Sequence, residues 1–246
     1  PDSNIFDTVT SSKISAKNKV THDPPMTSIN KCNGTEEEKK EILIKWFNDS
    51  FPDHKFPYKQ IPDWDDAVAI SYKRDGIACS LEYEKGKLVC AGTRSKSGSE
   101  GENITDKMKY VEGAPLRLAL PLTCTIRGEL DTPISVFEKV NQTLPKPKAN
   151  PRAYTAGAIG LKTAEEMKDR GIHFIAYNII SKEKLPYNTE IDRAIWANKK
   201  LGITFVRTEK FGKKKLVDLE EQHRDLDYLV DGIVLSVNWL ERQVEL

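Results

Sequence analysis

The sequence lacks a long apolar run, and this absence argues against a membrane-spanning protein. Nowhere in its 246 residues does an apolar stretch approach the roughly 20 residues needed to cross a bilayer. It also begins at Pro1 without a signal-like apolar segment. We therefore expect a soluble, cytoplasmic protein that has no membrane partner. The length allows one large domain or two small ones, each with a buried core.

The sequence also lacks an excess of charge of either sign. It contains 38 lysine and arginine residues against 37 aspartate and glutamate residues, so its formal net charge is +1. A domain that binds nucleic acid through a broad electrostatic footprint carries a clear positive excess. Any contact with nucleic acid must therefore come from a local face or from parts outside this sequence.

Cysteine and histidine are scarce and scattered. The 4 cysteines include no C-x-x-C pair and no histidine at ligand spacing, and the 4 histidines form no cluster. These residues are Cys32, Cys79, Cys90, Cys124, His22, His54, His173 and His223. Reduced thiols are therefore favoured over structural zinc, and a histidine-based mechanism is disfavoured. No metal-ligating set of side chains is predicted.

What the sequence does contain is a lysine between strand-like runs. Alternating apolar residues predict strands at 68–72, 77–84 and 87–94, and Lys73 lies between the first two. An amine held at a strand end is a candidate nucleophile. Asp75 adds a hydrogen-bond acceptor, and Gly76 permits the close approach of a ligand. A surface lysine ahead of a hairpin turn fits the same pattern, so the interpretation depends on the residues downstream.

The first predicted helix follows from a capping box. Thr35 with Glu38 three residues later predicts a helix that runs to Ser50. Its apolar stripe consists of Ile42, Leu43, Trp46 and Phe47. The chain is then predicted to be irregular up to position 65 because of Pro52, Pro57 and Pro62.

The remaining elements mix strands and helices without regular alternation. They are a strand at 122–130, a helix at 133–144 with Thr132 as its N-cap, a strand at 173–180, helices at 189–201 and 216–228, a strand at 231–238 and a helix from Trp239. This mixture indicates the α+β class, with antiparallel sheets flanked by helices. We interpret residues 1–21 as an extended entry segment and residues 22–246 as one domain that is incomplete at its C-terminal end.

Polar side chains lie at the ends of several predicted strands or in the turns after them. They are Lys73, Asp75, Arg94, Glu129, Arg152 and Asp231. Alternation puts Arg127 and Glu129 on one face, and the glycine between them leaves room for a ligand. The glycine- and serine-rich segment 95–105 fits either a phosphate cradle or a flexible surface loop.

In this order the motifs resemble the adenylation domain of NAD-dependent DNA ligases. The matching segments are His-x-x-Pro-Met-x-Ser at 22–28, Lys-x-Asp-Gly at 73–76, Thr-Arg at 93–94 before the glycine-rich loop, Arg-Gly-Glu at 127–129, Asn-Pro-Arg at 150–152 and Asp-Gly at 231–232. The resemblance implies a ligase-type nucleotidyltransferase fold. It also implies that NAD and Mg²⁺ are the cofactors and that nicked double-stranded DNA is a partner.

The resemblance also implies a role for each matching residue. Lys73 would attack the α-phosphate of NAD and form a lysyl-AMP, which is used to seal nicks in DNA. Arg94 and Glu129 would hold the ribose. Tyr177 would stack on adenine, although a core aromatic on a buried strand fits its position equally well. The implied catalytic residues are Lys73, Asp75, Glu129 and Asp231, the two aspartates helping with orientation or with Mg²⁺. The implied cofactor-binding residues are Ser28, Ile29, Ser71, Lys73, Gly76, Arg94, Glu129, Arg152, Tyr177, Val234 and Ser236.

Three positions depart from the family pattern. Ser236 stands where the family has a lysine near the α-phosphate, Ser71 replaces a glutamate that reads the adenine amino group, and Gly160 replaces a second arginine. The first interpretation is an adenylation subunit or fragment, completed by a second polypeptide that carries the missing ligase modules. The alternative is a ligase-like scaffold with impaired catalysis that binds nucleotide or DNA. A third, an ATP-dependent RNA ligase or capping enzyme, is disfavoured by segments 22–29 and 150–152.

Overall fold

The computed structural model describes residues 18–52 and 67–243, with only the backbone described at 213–216. Within this part of the chain the strands are β1 Lys19–Thr21, β2 Val68–Arg74, β3 Ile77–Glu84, β4 Lys87–Thr93, β5 Glu100–Glu102, β6 Val111–Glu112, β7 Cys124–Asp131, β8 Ile172–Ile180, β9 Thr208–Lys210 and β10 Val230–Val237. The helices are α1 Glu36–Ser50, α2 Ile134–Asn141, α3 Pro151–Ile159, α4 Glu190–Lys200, α5 Lys213–Gln222 and α6 Leu240–Gln243. The predictions that concern Pro57, Pro62, His54 and residues 1–17 lie outside the described residues.

The strands form three sheets, and this arrangement confirms the predicted α+β class. The largest sheet has the order β4-β3-β7-β8-β6, and among the described strands its only parallel pair is β6 with β8. A second sheet has the antiparallel order β10-β2-β9, and β1 pairs with β5 in a third. Strands β2 and β3 therefore belong to different sheets, although they are joined by the turn that contains Asp75 and Gly76. Among the described helices, none combines the length and apolar character needed to span a membrane.

Helix α1 begins as the capping box predicts. The Thr35 hydroxyl accepts from the Glu38 amide at 3.3 Å, and the Glu38 carboxylate accepts from the Thr35 amide at 2.7 Å. Its buried face consists of Ile44 and Phe47, which contribute to the core with Phe51 just beyond the helix. The prediction that Ile42 belongs to the apolar stripe is wrong. Ile42 is 40% exposed, because the spacing of 44, 47 and 51 turns position 42 toward solvent.

Two hydrophobic cores lie on the outer sides of the two larger sheets. One packs β3, β7 and β8 against α3 and α4, and it includes Leu81, Ile126 and Phe174. The other packs β2 and β10 against α1 and α5, and it includes Ile70 and Phe47. The opposite faces of the two sheets are consequently left to border a cavity between them.

Two predicted helices have different bounds in the structure. Helix α2 has Pro133, not Thr132, at its N-cap position, and the Thr132 hydroxyl instead lies 2.7 Å from the Thr155 hydroxyl. It ends at Asn141, three residues before the predicted end. Helix α5 ends at Gln222, not at position 228. A 3-10 turn at His223–Asp225 follows, and the Asp227 carboxylate beyond it accepts from the amide and hydroxyl of Ser135.

Candidate active site

A cavity of about 710 Å³ lies between the five-stranded and three-stranded sheets. All residues predicted for the site line it: Ser28, Ile29, Ser71, Lys73, Asp75, Gly76, Arg94, Glu129, Arg152, Tyr177, Asp231, Val234 and Ser236. These residues come from strands and loops that are far apart in the sequence. The fold therefore brings the predicted set together, while the role of each residue stays a prediction.

One wall of the cavity is formed by β2 and β10. The ladder pairs Lys73 with Gly232, Ser71 with Val234, and Ala69 with Ser236. Successive strand residues point to opposite faces. Lys73 and Ser71 therefore point into the cavity, whereas Ile70 and Tyr72 are buried in the core behind the sheet.

Lys73 forms an ion pair with Asp231 across this wall. Asp231 lies at an irregularity in the ladder, where the register shifts between Val230 and Gly232. Such bulges redirect a side chain. The hydrogen bond that Lys73 donates holds the pKa of Asp231 below its usual value, and the positive charges of Lys73, Lys31 and Arg152 act in the same direction. The carboxylate of Asp231 thus stays ionised beside the lysine amine.

Asp75 and Arg152 form a second ion pair at the cavity. Arg152 Nη1 donates to Asp75 Oδ1 at 2.7 Å. Arg152 lies in the first turn of α3, whose N-cap Asn150 accepts from the Ala153 amide at 2.8 Å. Pro151 occupies the first helical position, where its missing amide hydrogen costs nothing. The Asn-Pro-Arg motif therefore starts a helix and carries a guanidinium into the site.

Glu129 presents a carboxyl group from the opposite wall. It is paired with Ala78 on β3 and Ile175 on β8, and its Oε2 is buried without a hydrogen-bond partner among the described residues. Burial raises the pKa of Glu129 to about 7, although the nearby charges of Lys73 and Arg152 act in the opposite direction. A buried oxygen without a partner is costly unless a ligand satisfies it.

Segment 22–29 is tied to the cavity rim by two arginines. Arg94 Nη2 donates to the Ser28 hydroxyl at 2.5 Å, and Arg127 donates to the Pro24 carbonyl. His22 is buried, with its ring nitrogens 3.0 Å from the Ser80 hydroxyl and 2.9 Å from the Thr93 carbonyl. The His-x-x-Pro-Met-x-Ser motif therefore contributes a structural anchor as well as cavity-lining residues.

The glycine- and serine-rich loop is held by the same segment. The amide of Met26 donates to the Gly98 carbonyl at 2.8 Å, and the amide of His22 donates to the Ser99 carbonyl at 2.8 Å. Ser95 and Lys96 of this loop line the cavity. These contacts give the loop a defined course, and its role toward phosphate stays a prediction.

Tyr177 faces the cavity from β8. Its side chain is 38% exposed, which argues against the alternative of a core aromatic. Desolvation of its hydroxyl raises the pKa of Tyr177, and the nearby Glu129 adds to this effect. A ring that borders a cavity in this way can stack on a flat ligand.

The profile of the NAD-dependent DNA ligase adenylation domain matches residues 15–246. The chain belongs to this family.

The curated relatives of this adenylation domain include the DNA ligases of several bacteria. The DNA ligase of Thermotoga petrophila is 34% identical over 182 residues, which cover 70% of this chain and 26% of that protein. Those of Metamycoplasma arthritidis and Bacillus subtilis are each 30% identical and cover 93% and 95% of this chain, but 34% of their own lengths. The chain therefore spans about a quarter to a third of the length of these relatives. Among solved structures, a mycobacterial DNA ligase D complexed with ATP and MES aligns with a TM-score of 0.40 and 14% identity, over 72% of this chain and 52% of that one.

Two glycines of the adenylation domain lie where a side chain would clash with a neighbouring strand. A Cβ at Gly128 would lie 2.4 Å from the Ile175 carbonyl oxygen and from the Phe174 ring. A Cβ at Gly76 would lie 2.3 Å from the Leu130 carbonyl oxygen. The prediction that Gly128 leaves room for a ligand is therefore wrong, because this glycine allows β7 to pack against β8. Gly76 likewise permits close packing on β7.

Several cavity residues were missed by sequence reasoning. They are Lys31, Arg74, Asn178, Glu190, Arg193 and Gln243. Arg74 and Asn178 directly follow Lys73 and Tyr177, so sequence proximity was the available signal for these two. The others lie in a loop or on helices whose orientation depends on tertiary packing, and no local pattern distinguishes them from surface residues.

Proposed function

We propose that this adenylation domain transfers the AMP moiety of NAD to Lys73 and that the lysyl-AMP serves to seal nicks in double-stranded DNA. The observation that carries the proposal is the position of the Lys73 amine, which borders the cavity beside Asp231 and opposite Glu129. Deprotonated Lys73 Nζ would attack the α-phosphorus of NAD. The new N–P bond forms as the P–O bond to nicotinamide mononucleotide breaks, and the proton of the amine leaves to solvent or to a carboxylate.

The charge of the cavity supports a substrate with phosphate groups. Basic side chains along its lining outnumber acidic ones. The basic residues are Lys31, Lys73, Arg74, Arg94, Lys96, Arg127, Arg152 and Arg193, and the acidic residues are Asp75, Glu129, Glu190 and Asp231. An excess of positive charge along a cavity favours the developing negative charge of a phosphoryl transfer.

The ribose would lie between Arg94 and Glu129. Guanidinium groups donate and carboxylates accept, so the pair can bind hydroxyl groups of a sugar from two sides. The buried Oε2 of Glu129 supplies the acceptor that lacks a partner among the described residues. Tyr177 would cover one face of the adenine ring.

Mg²⁺ belongs to the proposal as a charge-neutralising cofactor. Among the described residues no group of three or more histidine, cysteine, aspartate or glutamate side chains is placed to hold a metal ion. Asp75 and Asp231 each form an ion pair with a basic residue. This arrangement fits an ion that is held mainly by phosphate oxygens and water, with one or two carboxylates nearby. When bound, Mg²⁺ would offset the negative charge of the phosphates.

Nick sealing requires more than this domain. We propose that the functions found in the remaining length of the relatives are supplied by further sequence or by a second polypeptide, and that the assembly acts on DNA in the cytoplasm. The scaffold alternative rests on the neutral Ser236, which lines the cavity in place of a lysine. The relatives named above are DNA ligases, so this alternative is not favoured.

The test is to locate the adenylyl group. The chain is incubated with NAD and Mg²⁺, and peptide mass mapping identifies the modified residue while the released nicotinamide mononucleotide is quantified. We expect modification of Lys73 and release of the mononucleotide in equal amounts. Lys184→Ala, at an exposed lysine outside the cavity, should react like the wild type. Modification of another residue, or mononucleotide release that persists in Lys73→Ala, would contradict the proposal.

A further inference from the structure

Four polar side chains to which the proposed chemistry assigns no individual role form a continuous chain along the cavity. Gln243 Nε2 donates to Glu190 Oε1 at 2.7 Å, and Glu190 forms an ion pair with Arg193. Arg193 Nη1 then donates to Asn178 Oδ1 at 2.7 Å, and its Nη2 donates to the Tyr177 carbonyl at 3.4 Å. We call Asn178, Arg193, Glu190 and Gln243 the polar relay, and all four line the cavity.

The charged pair in the polar relay is buried, so stability alone does not account for it. The side chains of Arg193 and Glu190 are 8% and 10% exposed, and Arg193 Nε is buried without a partner among the described residues. Buried ion pairs are often no more stabilising than apolar residues of the same volume. Such a pair is better explained by what it holds in place.

What the pair holds in place is the amide of Asn178. A guanidinium only donates hydrogen bonds, so the atom of Asn178 that faces Arg193 must be the oxygen. The amide nitrogen, Nδ2, therefore points the other way. Within residues 18–52 and 67–243, Nδ2 has no hydrogen-bond acceptor, and the side chain borders the cavity. Asn178 thus offers a free donor of fixed orientation.

A bulge places this donor beside the Tyr177 ring. The β7–β8 ladder pairs Gly128 with Ala176 and Arg127 with Asn178, which leaves Tyr177 as the extra residue. Two successive residues of β8 consequently border the cavity, one with an aromatic face and the next with an amide donor. An aromatic face suits stacking on a base, and an adjacent donor suits a hydrogen bond to the edge of that base.

We propose that Asn178 Nδ2 donates a hydrogen bond to an unprotonated ring nitrogen of a purine stacked on Tyr177. Arg193 and Glu190 are positioning residues that keep the amide oxygen turned away from the base. This assigns a base-reading group to β8, on the wall opposite Ser71. The identification of the purine as the adenine of NAD rests on the proposed function.

The test compares AMP with three analogues that each replace one ring nitrogen by carbon: 1-deaza-, 3-deaza- and 7-deaza-AMP. Binding to the chain is measured by titration calorimetry, which does not depend on catalysis. We expect one analogue to bind the wild type about 5- to 10-fold more weakly than AMP, which corresponds to the loss of one hydrogen bond. In Asn178→Ala this difference should disappear, because the donor is absent in both titrations.

Two further variants separate base reading from structural support. Asn178→Asp replaces the donor by an acceptor and should weaken binding of AMP at least as much as the alanine variant does. Arg193→Lys keeps the charge but loses the planar donor pair, so discrimination between AMP and the sensitive analogue should shrink while binding of the insensitive analogues changes little.

Three results would overturn the inference: no binding of AMP by the wild type, equal binding of AMP and all three analogues, or discrimination that persists in Asn178→Ala. Failure of this inference can be distinguished from failure of the proposed function. Discrimination that depends on Asn178 without adenylation of Lys73 would refute only the proposed function. Adenylation of Lys73 with discrimination unchanged in Asn178→Ala would refute only the inference.

Discussion

Lys73 and Asp231 form an ion pair although the β2–β10 ladder sets Lys73 opposite Gly232. The register shift at Asp231 turns its carboxylate toward the lysine, which lies 158 residues earlier in the chain. Strands β2 and β10, which come first and last along the chain in this three-stranded sheet, thus meet at the proposed nucleophile. A lysine held in this way keeps its amine at one place in the cavity, where a substrate phosphate can approach it.

Asp231→Asn should slow the adenylation of Lys73 more than it weakens nucleotide binding. The asparagine keeps the shape of the side chain but removes the carboxylate that holds the amine in place and can accept its proton as the N–P bond forms, and we expect at least about a tenfold lower rate. Single-turnover adenylation and calorimetric binding of AMP measure the two effects separately. Asp225→Asn, at an exposed position, should match the wild type. An Asp231→Asn variant of unchanged rate would show that the ion pair has no part in the reaction.

Ser236→Lys should raise the rate of adenylation. Ser236 lines the cavity next to Ala69 on β2, two strand positions beyond Val234, which pairs with Ser71. A cation at this position adds a charge-assisted hydrogen bond to a phosphate, and we expect at least about a tenfold gain in single-turnover rate. Ser236→Met extends the side chain without charge and serves as the control. Equal rates in Ser236→Lys and the wild type would show that the other basic residues already supply the positive charge that the reaction requires.

Arg74 and Asp131 should stabilise the fold as a pair. Arg74 Nε donates to Asp131 Oδ2 at 2.5 Å, the two side chains are 12% and 4% exposed, and the guanidinium lies 3.5 Å above the Tyr228 ring. Removing one partner leaves a buried charge and should lower the free energy of unfolding by about 3–5 kcal/mol. Urea unfolding of Arg74→Leu, Asp131→Leu and the double variant measures this. The double variant should recover most of the loss, and strictly additive losses would contradict a coupled pair.

Glu129 should make stability depend on pH. Burial raises the pKa of Glu129 to about 7 in the folded protein, while the unfolded chain loses this proton near the ordinary value of 4.5. The folded state therefore binds more protons between these values, and stability falls as the pH rises from about 4.5 to 7. The full effect corresponds to about 3 kcal/mol.

Glu129→Gln removes this titration while keeping the size of the side chain. Relative to the wild type, the variant should therefore become more stable by up to about 3 kcal/mol between pH 5 and pH 8. Urea unfolding of both proteins at each pH gives the difference, in which the contributions of other titrating groups cancel. A difference that does not change with pH would mean that Glu129 ionises normally in the folded protein.

The sequence predicts the features that depend on local pattern. The capping box at Thr35 and the strands around Lys73 each rest on residues within one element, and the structure confirms these elements. The gathering of the predicted site residues around one cavity follows from motifs that resemble a known family.

The features that sequence reasoning missed depend on tertiary contacts. Arg74 and Asp131 are 57 residues apart, so no periodicity links them. The bulge at Tyr177 depends on the register of β7 against β8, and it alone brings Asn178 to the cavity. The sequence predicts that Gly128 leaves room for a ligand. The sequence around this glycine does not reveal that Phe174 and Ile175 pack against it.

The intact mass of the chain before and after incubation with NAD and Mg²⁺ tests the central claim most directly. Parallel incubations with ATP and with the Lys73→Ala variant are the controls. The account predicts that NAD adds the mass of one adenylyl group to the wild type, that ATP adds none, and that the variant is unchanged. No gain of mass with NAD, or a gain that Lys73→Ala retains, would contradict it.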